Sequence, residues 1–481
     1  MKIFQITNIL DKELNLQDKK MKVFLKDIVE KFPEFEVKNY SEDAFFTGFN
    51  HDTRSIKDNE IYIPIIGERF DGHGFILEAF EKGASMVLCE NDKYVSEIKD
   101  INKPIILVDS IEEGLEKILN YSISSITAPI IAITGSTGKT TTKKMLVTIL
   151  ESQMKVLFSD SSNTVWGNAV LLSQYDNHDA VVLECGMDRK GEIAWHVNSV
   201  DPDLGILLNV CDVHAEKLGT VEDIYEEKKN LADYMERTGK PLILNIDDER
   251  LRRIKDLYKK DSEIITFGES EDADYQLQDI IVDDSGTHFT FKYYDNFMKV
   301  NLKAFGSGYS CDAMAAIIAA NKLGVGIENC IKGVEKFENC DGRFEKLEYS
   351  ENLVIINDAY NANPASMEMS LETFNQLYPS PKYHRIAILG DMRELGEVSV
   401  QKHMELGESV KKYNFDEVYY VGEMFESFNL GEHIGSADEV AAMMNTKLEN
   451  LKGKKVVILL KASNGVGLYQ IPDFLKKLGT F

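Results

Sequence analysis

The chain has 481 residues, and its 54 Lys and Arg against 80 Asp and Glu give a formal net charge of −26 at pH 7. So acidic a surface repels a phosphodiester backbone, which argues against nucleic-acid binding. No apolar run reaches the roughly 18–20 residues that span a bilayer, no signal-peptide core opens the chain, and the six cysteines show no C-x-x-C spacing. We therefore expect a cytoplasmic protein of about two to four domains, without membrane insertion. A monomer is also expected, although composition does not determine the oligomeric state.

Short apolar runs recur along most of the chain, and helical patterns follow them. Continuous apolar runs are typical of strands buried on both faces, so their alternation with helices predicts an α/β fold with parallel sheets covered by helices. Ligands of such sheets bind at the carboxyl ends of the strands. The predicted strands are PIIAIT (129–134), AVVLECG (180–186), LGILLNV (204–210), PLILNI (241–246), LVIIND (353–358), RIAILGD (385–391) and KVVILLKA (455–462).

Two polar stretches suggest domain boundaries. The first, at 122–129, precedes the strongest predicted strand, and the second, at 338–346, precedes a fresh series of α/β units. We therefore predict three domains, covering residues 1–122, 123–342 and 343–481.

The predicted strand at 129–134 runs into a glycine-rich loop and then into a helical pattern over 141–152. Glycines let backbone N–H groups approach phosphate oxygens, and the helix dipole favours an anion at that point. A lysine there would neutralise the β- and γ-phosphates, and the threonine hydroxyl after it would bind Mg²⁺. The spacing G-x-x-G-K-T is shorter than the usual G-x-x-x-x-G-K-[ST], and the alternative is an ordinary strand-to-helix turn. We predict an ATP site formed by Gly135, Ser136, Thr137, Gly138, Lys139, Thr140 and Thr141.

Two further polar residues follow predicted parallel strands. Glu184 closes the strand at 180–186, and His214 comes shortly after the strand at 204–210. A carboxylate and an imidazole would, with the hydroxyl of Thr140, suit a Mg²⁺ ion that is bound to nucleotide phosphates. Taken singly, a Glu or His at a strand end is more often a polar loop residue than a metal ligand.

Lys228 lies on the apolar stripe of a predicted helix. It follows Tyr225 by three residues, Ile224 by four and Val221 by seven, whereas its neighbour Lys229 points outward. A lysine in this position either extends its ammonium group to the surface along apolar neighbours or has a lowered pKa and unusual chemistry. A neutral amine can add CO₂ and become a carbamate, which is an anion able to help bind a metal.

The sequence YNANP at 360–364 predicts a helix start. Asn363 can cap a helix whose first residue is Pro364, with Met367 and Leu371 turned inward. This geometry places Asp358 and the loop that follows it at the carboxyl end of a strand.

Taken together, these motifs resemble those of the Mur ligase family, and in particular its D-alanyl-D-alanine-adding branch. The resemblance extends over nearly the whole chain and implies three α/β domains: an N-terminal UDP-binding domain, a central P-loop ATP-binding domain with a parallel sheet, and a C-terminal Rossmann-like domain. It rests on HDTR (51–54), IYIPIIGERFDGHGFI (61–76), ITGSTGKTTT (133–142), LECGMDRKGEI (183–193), the spacing from His214 to Lys228, LNIDD (244–248), Gly342-Arg343, NDAYNANPASM (357–367) and ILGDMRELG (388–396).

The resemblance implies an ATP-dependent ligase of peptidoglycan precursor synthesis, which joins D-alanyl-D-alanine to UDP-N-acetylmuramoyl-tripeptide through an acyl phosphate. It implies ATP and Mg²⁺ as cofactors, with Lys228 carbamylated. The implied catalytic residues are Lys139, His214 and Lys228, and the implied metal ligands are Thr140, Glu184, His214 and Lys228. Besides the glycine-rich loop, the nucleotide would contact Arg343, Asp358 and Asn361, and the substrate would contact Thr53, Arg54, Asp71, Gly72, His73 and Asn363.

Some segments depart from the branch, and they keep two alternatives open. Residues 306–313 read GSGYSCDA where the branch has G-x-H-N-x-x-N-A, residues 161–169 match its Asn-rich segment only loosely, and LLKASNGVGL (459–468) replaces a K-G-S-R-like stretch. One alternative is a related ligase that adds a different amino acid or dipeptide. The other is a non-catalytic nucleotide-binding paralogue.

Overall fold

The computed structural model describes residues 21–67, 70–90, 94, 102–160, 162–211, 218–259, 263–339, 342–426 and 432–477. The chain forms two compact units. Unit 1 consists of Met1–Ala128, Leu157–Val181 and Asn198–Asp201, and unit 2 of Pro129–Val156, Val182–Val197 and Pro202–Phe481. None of the helices in the described ranges has the length and apolarity that crossing a membrane requires.

Fifteen α-helices lie within the described ranges. In chain order they are α1 (Leu25–Lys31), α2 (Ile76–Glu81), α3 (Ile111–Ile123), α4 (Lys139–Leu150), α5 (Val165–Leu172), α6 (Glu192–Val200), α7 (Val221–Thr238), α8 (Glu249–Leu257), α9 (Gly308–Lys322), α10 (Ile327–Val334), α11 (Pro364–Leu377), α12 (Ser399–Val410), α13 (Glu423–Glu426), α14 (Ala437–Asn450) and α15 (Ile471–Lys477).

Unit 1 contains a five-stranded sheet of order β2-β7-β6-β5-β4 and a separate antiparallel pair, β1 with β3. Strands β4 to β7 run parallel, and β2 is an antiparallel edge strand. The strands are β1 (Val23–Phe24), β2 (Glu36–Lys38), β3 (Phe45–Phe46), β4 (Gly48–Asn50), β5 (Glu60–Tyr62), β6 (Met86–Cys89) and β7 (Ile105–Leu107).

A nine-stranded sheet has the order β16-β15-β14-β13-β12-β11-β8-β10-β9. Strands β8, β11, β12, β13 and β14 pair in parallel, and β14 to β16 form an antiparallel extension that the sequence analysis did not predict. The strands are β8 (Ile130–Thr134), β9 (Val156–Phe158), β10 (Ala180–Glu184), β11 (Leu204–Leu207), β12 (Leu242–Asn245), β13 (Ile264–Gly268), β14 (Tyr275–Asp283), β15 (Gly286–Tyr293) and β16 (Asn296–Leu302).

The C-terminal part of unit 2 contains a six-stranded sheet of order β17-β18-β22-β19-β20-β21. Strands β18 to β22 run parallel, and the edge strand β17 is antiparallel to β18. Apolar clusters cover both faces of this sheet. The strands are β17 (Glu345–Ser350), β18 (Leu353–Asp358), β19 (His384–Gly390), β20 (Glu417–Val421), β21 (Glu432–Ile434) and β22 (Val456–Lys461).

All seven predicted runs are strands, and the α/β fold class is confirmed. The predicted helix start is also confirmed: the side chain of Asn363 accepts a hydrogen bond from the backbone N–H of Ser366, and Pro364 is the first residue of α11. The predicted boundaries near residues 122 and 342 stay predictions.

Candidate active site

The glycine-rich loop connects β8 to α4 and has the left-handed turn that such a loop needs. Gly138 precedes α4 with a φ of +83°, which favours glycine. A Cβ atom on Gly138 would lie 2.2 Å from Oδ1 of Asp312, so the carboxyl of Asp312 packs directly on this glycine. The hydroxyl of Thr142 donates to the same oxygen at 3.2 Å. The start of α4 therefore packs closely against α9 through Asp312.

Residues after the neighbouring strand β11 hold the loop in place. The side-chain oxygen of Asn209 accepts the backbone N–H of Thr137 at 2.9 Å, and the Asn209 amide donates back to the Thr137 carbonyl at 3.2 Å. The hydroxyl of Ser136 accepts the backbone N–H of Cys211 at 2.9 Å and donates to its carbonyl at 3.1 Å. Four hydrogen bonds thus fix the loop from the adjacent strand end, as preorganised anion binding requires.

The ammonium group of Lys139 lies over the loop. Its Nζ donates to the carbonyl of Gly135 at 2.7 Å. Desolvation lowers the pKa of Lys139, and the nearby charge of Glu184 opposes this shift. The lysine is thus held by a neutral carbonyl, an acceptor that a phosphate oxygen could replace.

Glu184, at the end of β10, is bound by two side chains of α4. The hydroxyl of Thr140 donates to Oε2 at 3.1 Å, and Nζ of Lys143 lies 2.7 Å from Oε1. Glu184 and Lys143 are both buried. A hydroxyl and a carboxylate oxygen this close together are the donor types that Mg²⁺ prefers in a nucleotide site, so the residues present fit this ion.

Lys228 is buried in α7, with 2% of its surface exposed, which excludes the alternative that its ammonium group reaches the surface. Within the described ranges, its Nζ donates to the sulfur of Met187 at 3.8 Å. Desolvation, and then the charge of Lys139, lower the pKa of Lys228 well below its usual value. The amine that the helical spacing singled out is thus in an environment that favours the neutral form.

His214 lies outside the described residues, so its predicted metal and catalytic roles stay predictions. Within the described ranges, no group of three or more His, Cys, Asp or Glu residues is placed to hold a metal ion. Any Mg²⁺ site built on Thr140 and Glu184 therefore needs further ligands, such as phosphate oxygens.

The C-terminal sheet brings a second set of charges to the carboxyl ends of its strands. Asp358 ends β18, and its Oδ2 lies 3.1 Å from Nζ of Lys461 at the end of β22. Lys461 is buried, and it also donates to the carbonyl of Asn361 at 2.7 Å. Desolvation lowers the pKa of Lys461, and Asp358 opposes the shift.

The guanidinium of Arg343 lies over the ring of Tyr360, 4.6 Å from the ring centre. Desolvation is the main cause that lowers the pKa values of Lys139 and Lys461 and raises that of Asp312. The positive charge of Arg343 adds to the lowering at the two lysines and opposes the rise at Asp312, so it acts electrostatically on residues of both groups.

Two predicted contact residues on the loop after β18 already have local partners. The side-chain oxygen of Asn361 accepts the backbone N–H of Ala362 at 2.8 Å, and Asn363 caps α11. Asn363 is buried, and its side chain is used in this helix cap. A substrate contact of Asn363 stays a prediction.

Thr53 and Arg54 follow β4 in unit 1. The hydroxyl of Thr53 donates to Glu78 at 3.0 Å, and the guanidinium of Arg54 pairs with Asp52 at 2.6 Å. Hydrogen bonds from Arg54 lower the pKa of Asp52 to about 2. Arg54 keeps 86% of its side chain exposed, so its guanidinium is accessible to an anionic ligand.

Asp71, Gly72 and His73 form a compact turn in unit 1. Nδ1 of His73 lies 2.7 Å from Asp71, and Nε2 accepts the backbone N–H of Glu90 at 3.1 Å, so both ring nitrogens are engaged. A Cβ atom on Gly72 would meet the backbone of Ile65 at 2.7 Å. These contacts give Gly72 and His73 a clear role in shaping the turn, and their substrate contacts stay predictions.

Three Mur ligase family models match the chain: the family's catalytic domain over residues 46–122, its middle domain over 133–320, and its glutamate ligase domain over 342–464. The UDP-N-acetylmuramoyl-tripeptide–D-alanyl-D-alanine ligase of Bacillus subtilis strain 168 is 32% identical over 439 residues, which cover 89% of this chain and 93% of that relative. The chain belongs to the Mur ligase family.

Other relatives and solved structures agree with this assignment. The ligase of the same name from Escherichia coli K12 is 26% identical and covers 89% of this Mur ligase and 93% of its own length. The structure of MurF from Thermotoga maritima in complex with ADP has a TM-score of 0.77 and 26% identity, covering 89% of this chain and 97% of its own. MurF from Acinetobacter baumannii, at 22% identity, covers 96% and 100% with a TM-score of 0.82, which supports the fold.

The structure adds residues of this Mur ligase that the sequence analysis missed: Lys143, Asn209, Asp312 and Lys461. For Lys143 a signal was available, because it follows Lys139 by four residues and Thr140 by three and so shares their helix face. Asn209 and Lys461 lie just after, or at, the ends of predicted strands, where their polarity was a usable signal. Asp312 is brought to Gly138 from 174 positions away, and no local pattern indicates that contact.

Proposed function

We propose that this protein is an ATP-dependent ligase that joins D-alanyl-D-alanine to UDP-N-acetylmuramoyl-tripeptide in cytoplasmic peptidoglycan precursor synthesis. Relatives that cover about nine-tenths of the chain carry that activity in their names, and the related Thermotoga structure contains ADP. The observation that carries the proposal is that Lys139 lies over the glycine-rich loop while Thr140 contacts Glu184 beside it. The charge of Arg343 acts on Lys139, and that of Lys139 on Lys228.

A carboxylate is a poor electrophile, so the reaction must first activate it. The terminal carboxylate oxygen of the tripeptide attacks the γ-phosphorus of ATP, the bond from that phosphorus to the bridging oxygen breaks, and ADP leaves. The neutral amine of D-alanyl-D-alanine then attacks the acyl carbon, the tetrahedral intermediate expels phosphate, and the amine proton passes to solvent. Each step moves negative charge among anionic groups, so fixed positive charge is the main requirement.

This chain's residues would meet that requirement at the loop. Backbone N–H groups of residues 135–140 would face the phosphates, and the ammonium group of Lys139 would exchange the Gly135 carbonyl for a phosphate oxygen. Arg343 would add a second positive charge, and the Asp358–Lys461 pair would line the same side of the nucleotide.

Mg²⁺ is proposed as a cofactor because the Thr140 hydroxyl and the Glu184 carboxylate, 3.1 Å apart, match its ligand preference. When bound, the ion would supply charge neutralisation and Lewis acidity at the phosphates. Lys143 would keep Glu184 oriented toward Thr140. His214 is proposed as an additional ligand.

Lys228 is proposed to carry a carbamate. Carbamate formation needs a neutral amine, in which the nitrogen lone pair attacks CO₂ and one proton is lost. Burial and the charge of Lys139 both favour that neutral form. The resulting anion would be stabilised by the positive charge of Lys139.

The test is ADP release with ATP, Mg²⁺, UDP-N-acetylmuramoyl-tripeptide and D-alanyl-D-alanine, omitting each component in turn. The proposal expects release only with the complete mixture, together with a product whose mass equals the two substrates joined less one water. Product analysis with other amine donors tests the related-ligase alternative. ATP binding without substrate-dependent ADP release would contradict the proposal and favour the nucleotide-binding paralogue, which the GSGYSCDA segment keeps open.

A further inference from the structure

Helix α12 has an exposed apolar patch on its outer side. On its inner side, Leu406 and Val410 pack into the apolar core beside the C-terminal sheet. On its outer side, Val400 and Met404 each keep 52% of their surface exposed, although the solvent side of such a helix is normally polar. The two side chains are four residues apart and therefore lie on the same helix face.

This patch lies in a shallow groove of about 610 Å³ that runs along the helix. All of the residues that line the groove in the described ranges lie between positions 397 and 412, so the groove belongs to α12 and to the turns at its two ends. It is therefore a surface on which another helix could lie lengthwise.

The groove carries opposite charges at its two ends. Its inner glutamates, Glu405 and Glu408, are bound by neighbouring lysines at 2.9 and 2.6 Å. Glu397 lines one end and Lys412 the other, and both are exposed. Neither of these two forms an ion pair with any residue in the part of the chain that the structure describes. A partner could therefore pair with a negative charge at one end and with a positive charge at the other.

The helix dipole alone accounts for part of this pattern. It favours a negative charge near the start of α12 and a positive charge near its end, but it gives no reason for the exposed Val400 and Met404 between them. Residues 397–412 contain three glutamates and three lysines, in a chain whose net charge is −26. Neither a basic nor an acidic partner is therefore favoured here. The matching partner carries the same pattern in the opposite direction.

We propose that α12 packs antiparallel against α12 of a second copy of this chain, around a two-fold axis between Met404 and Glu405. Glu397 and Lys412 are equally far from that axis, so Glu397 would face Lys412 of the partner subunit and Lys412 would face Glu397 of the partner subunit. The two copies of Met404 would meet near the axis. Such a self-complementary patch is what a two-fold symmetric dimer requires.

The dimer would be weak. A single helix face buries less than the roughly 800 Å² per partner of a standard interface, so the monomer expected from the sequence would prevail in dilute solution. The net charge of −26 on each copy also opposes association. At an ionic strength of about 0.15 M the Debye length is about 8 Å, so this repulsion is limited to groups near the interface.

The test is sedimentation velocity of the full chain in about 0.15 M salt, at about 10–500 µM protein, a range that suits a small interface. For the unchanged protein we expect the weight-average sedimentation coefficient to rise with concentration. Met404→Glu should abolish the rise, because it brings two carboxylates together at the two-fold axis. Leu257→Glu changes an apolar residue that is 70% exposed on α8, so it is the matched control and should leave the rise unchanged.

The charges at the ends of the groove give a second test. Glu397→Lys alone, or Lys412→Glu alone, places like charges opposite each other and should weaken association by about 10-fold. An equimolar mixture of these two variants restores both opposite-charge pairs and should associate like the unchanged protein. The inference is wrong if the unchanged protein shows no rise, if Met404→Glu and Leu257→Glu behave alike, or if the mixture associates as weakly as each single variant.

Discussion

Lys143 and Glu184 form a buried ion pair, with Nζ 2.7 Å from Oε1, directly beside the hydroxyl of Thr140. Removing one partner of such a pair leaves the other charge buried, which typically costs about 3–5 kcal/mol. We therefore expect Lys143→Met to lower the melting temperature of the protein clearly, as measured by scanning calorimetry. Lys144→Met, one position along the helix, should change it little. Equal melting temperatures for the two variants would contradict the structural importance of the pair.

Lys228→Ala should abolish substrate-dependent ADP release, because the proposed carbamate would be lost from the centre. The circular dichroism spectrum should stay unchanged, since α7 tolerates alanine well. Lys229→Ala changes the adjacent, partly exposed lysine and is the matched control, with activity expected near normal. Incubation with ¹³C-bicarbonate should give a carbamate NMR signal in the unchanged protein and in Lys229→Ala only. A signal that persists in Lys228→Ala would assign the carbamate elsewhere.

Gly138→Ala should be more harmful than Gly191→Ala. Both glycines have a positive φ, +83° and +87°, so alanine meets the same backbone strain of about 1 kcal/mol at each. Only at Gly138 would the new methyl group also clash with Asp312, because a Cβ at Gly191 meets nothing within 4 Å. We expect a larger loss of melting temperature and of ATP affinity for Gly138→Ala. Similar losses for the two variants would mean that Asp312 moves away freely.

Asp312 should make the stability of the protein depend on pH. Desolvation raises the pKa of this partly buried carboxyl from 3.8 to about 7, so the unfolded chain loses the proton at a lower pH than the folded one. The contribution of Asp312 to the free energy of unfolding is therefore largest below about pH 4. It falls as the pH rises toward 7 and stays low above that pH.

Asp312→Asn removes this titration and should make the protein more stable than the unchanged one at pH 8, by on the order of 1–4 kcal/mol, with little difference near pH 4. Urea unfolding at both pH values measures the effect. Asp256→Asn, at an exposed position on α8, is the control and should show the same small difference at each pH. A pH-independent gain for Asp312→Asn would contradict the raised pKa.

Features set by neighbouring residues could be predicted from the sequence. The apolar runs gave all seven strands, and the Asn363-Pro364 pair gave the start of α11, because strand burial and helix capping depend on local patterns. The position of Lys228 on its helix likewise follows from a spacing of three to four residues. The antiparallel strands β14 to β16 were missed because their mixed, half-exposed residues give no continuous apolar run.

Contacts between distant segments could not be predicted. The pairing of Arg393 with the loop at Gly465 and of Asp312 with Gly138 depends on how strands are ordered in the sheets, which one sequence does not specify. The same holds for His73, whose ring nitrogens are engaged by Asp71 and by the backbone of Glu90. Roles of the site residues toward ligands therefore rest on the experiments above.

Unit 1 is assembled from three separated stretches of chain. This arrangement affects which fragments of the protein can fold and when unit 1 can fold during synthesis. The backbone N–H of Phe49 donates to the hydroxyl of Ser173 at 2.8 Å, and α5 packs on β4. A gene fragment stopped at residue 128 would encode a product that lacks those contacts. During translation, likewise, the first unit must wait until the ribosome has released residues up to about 200.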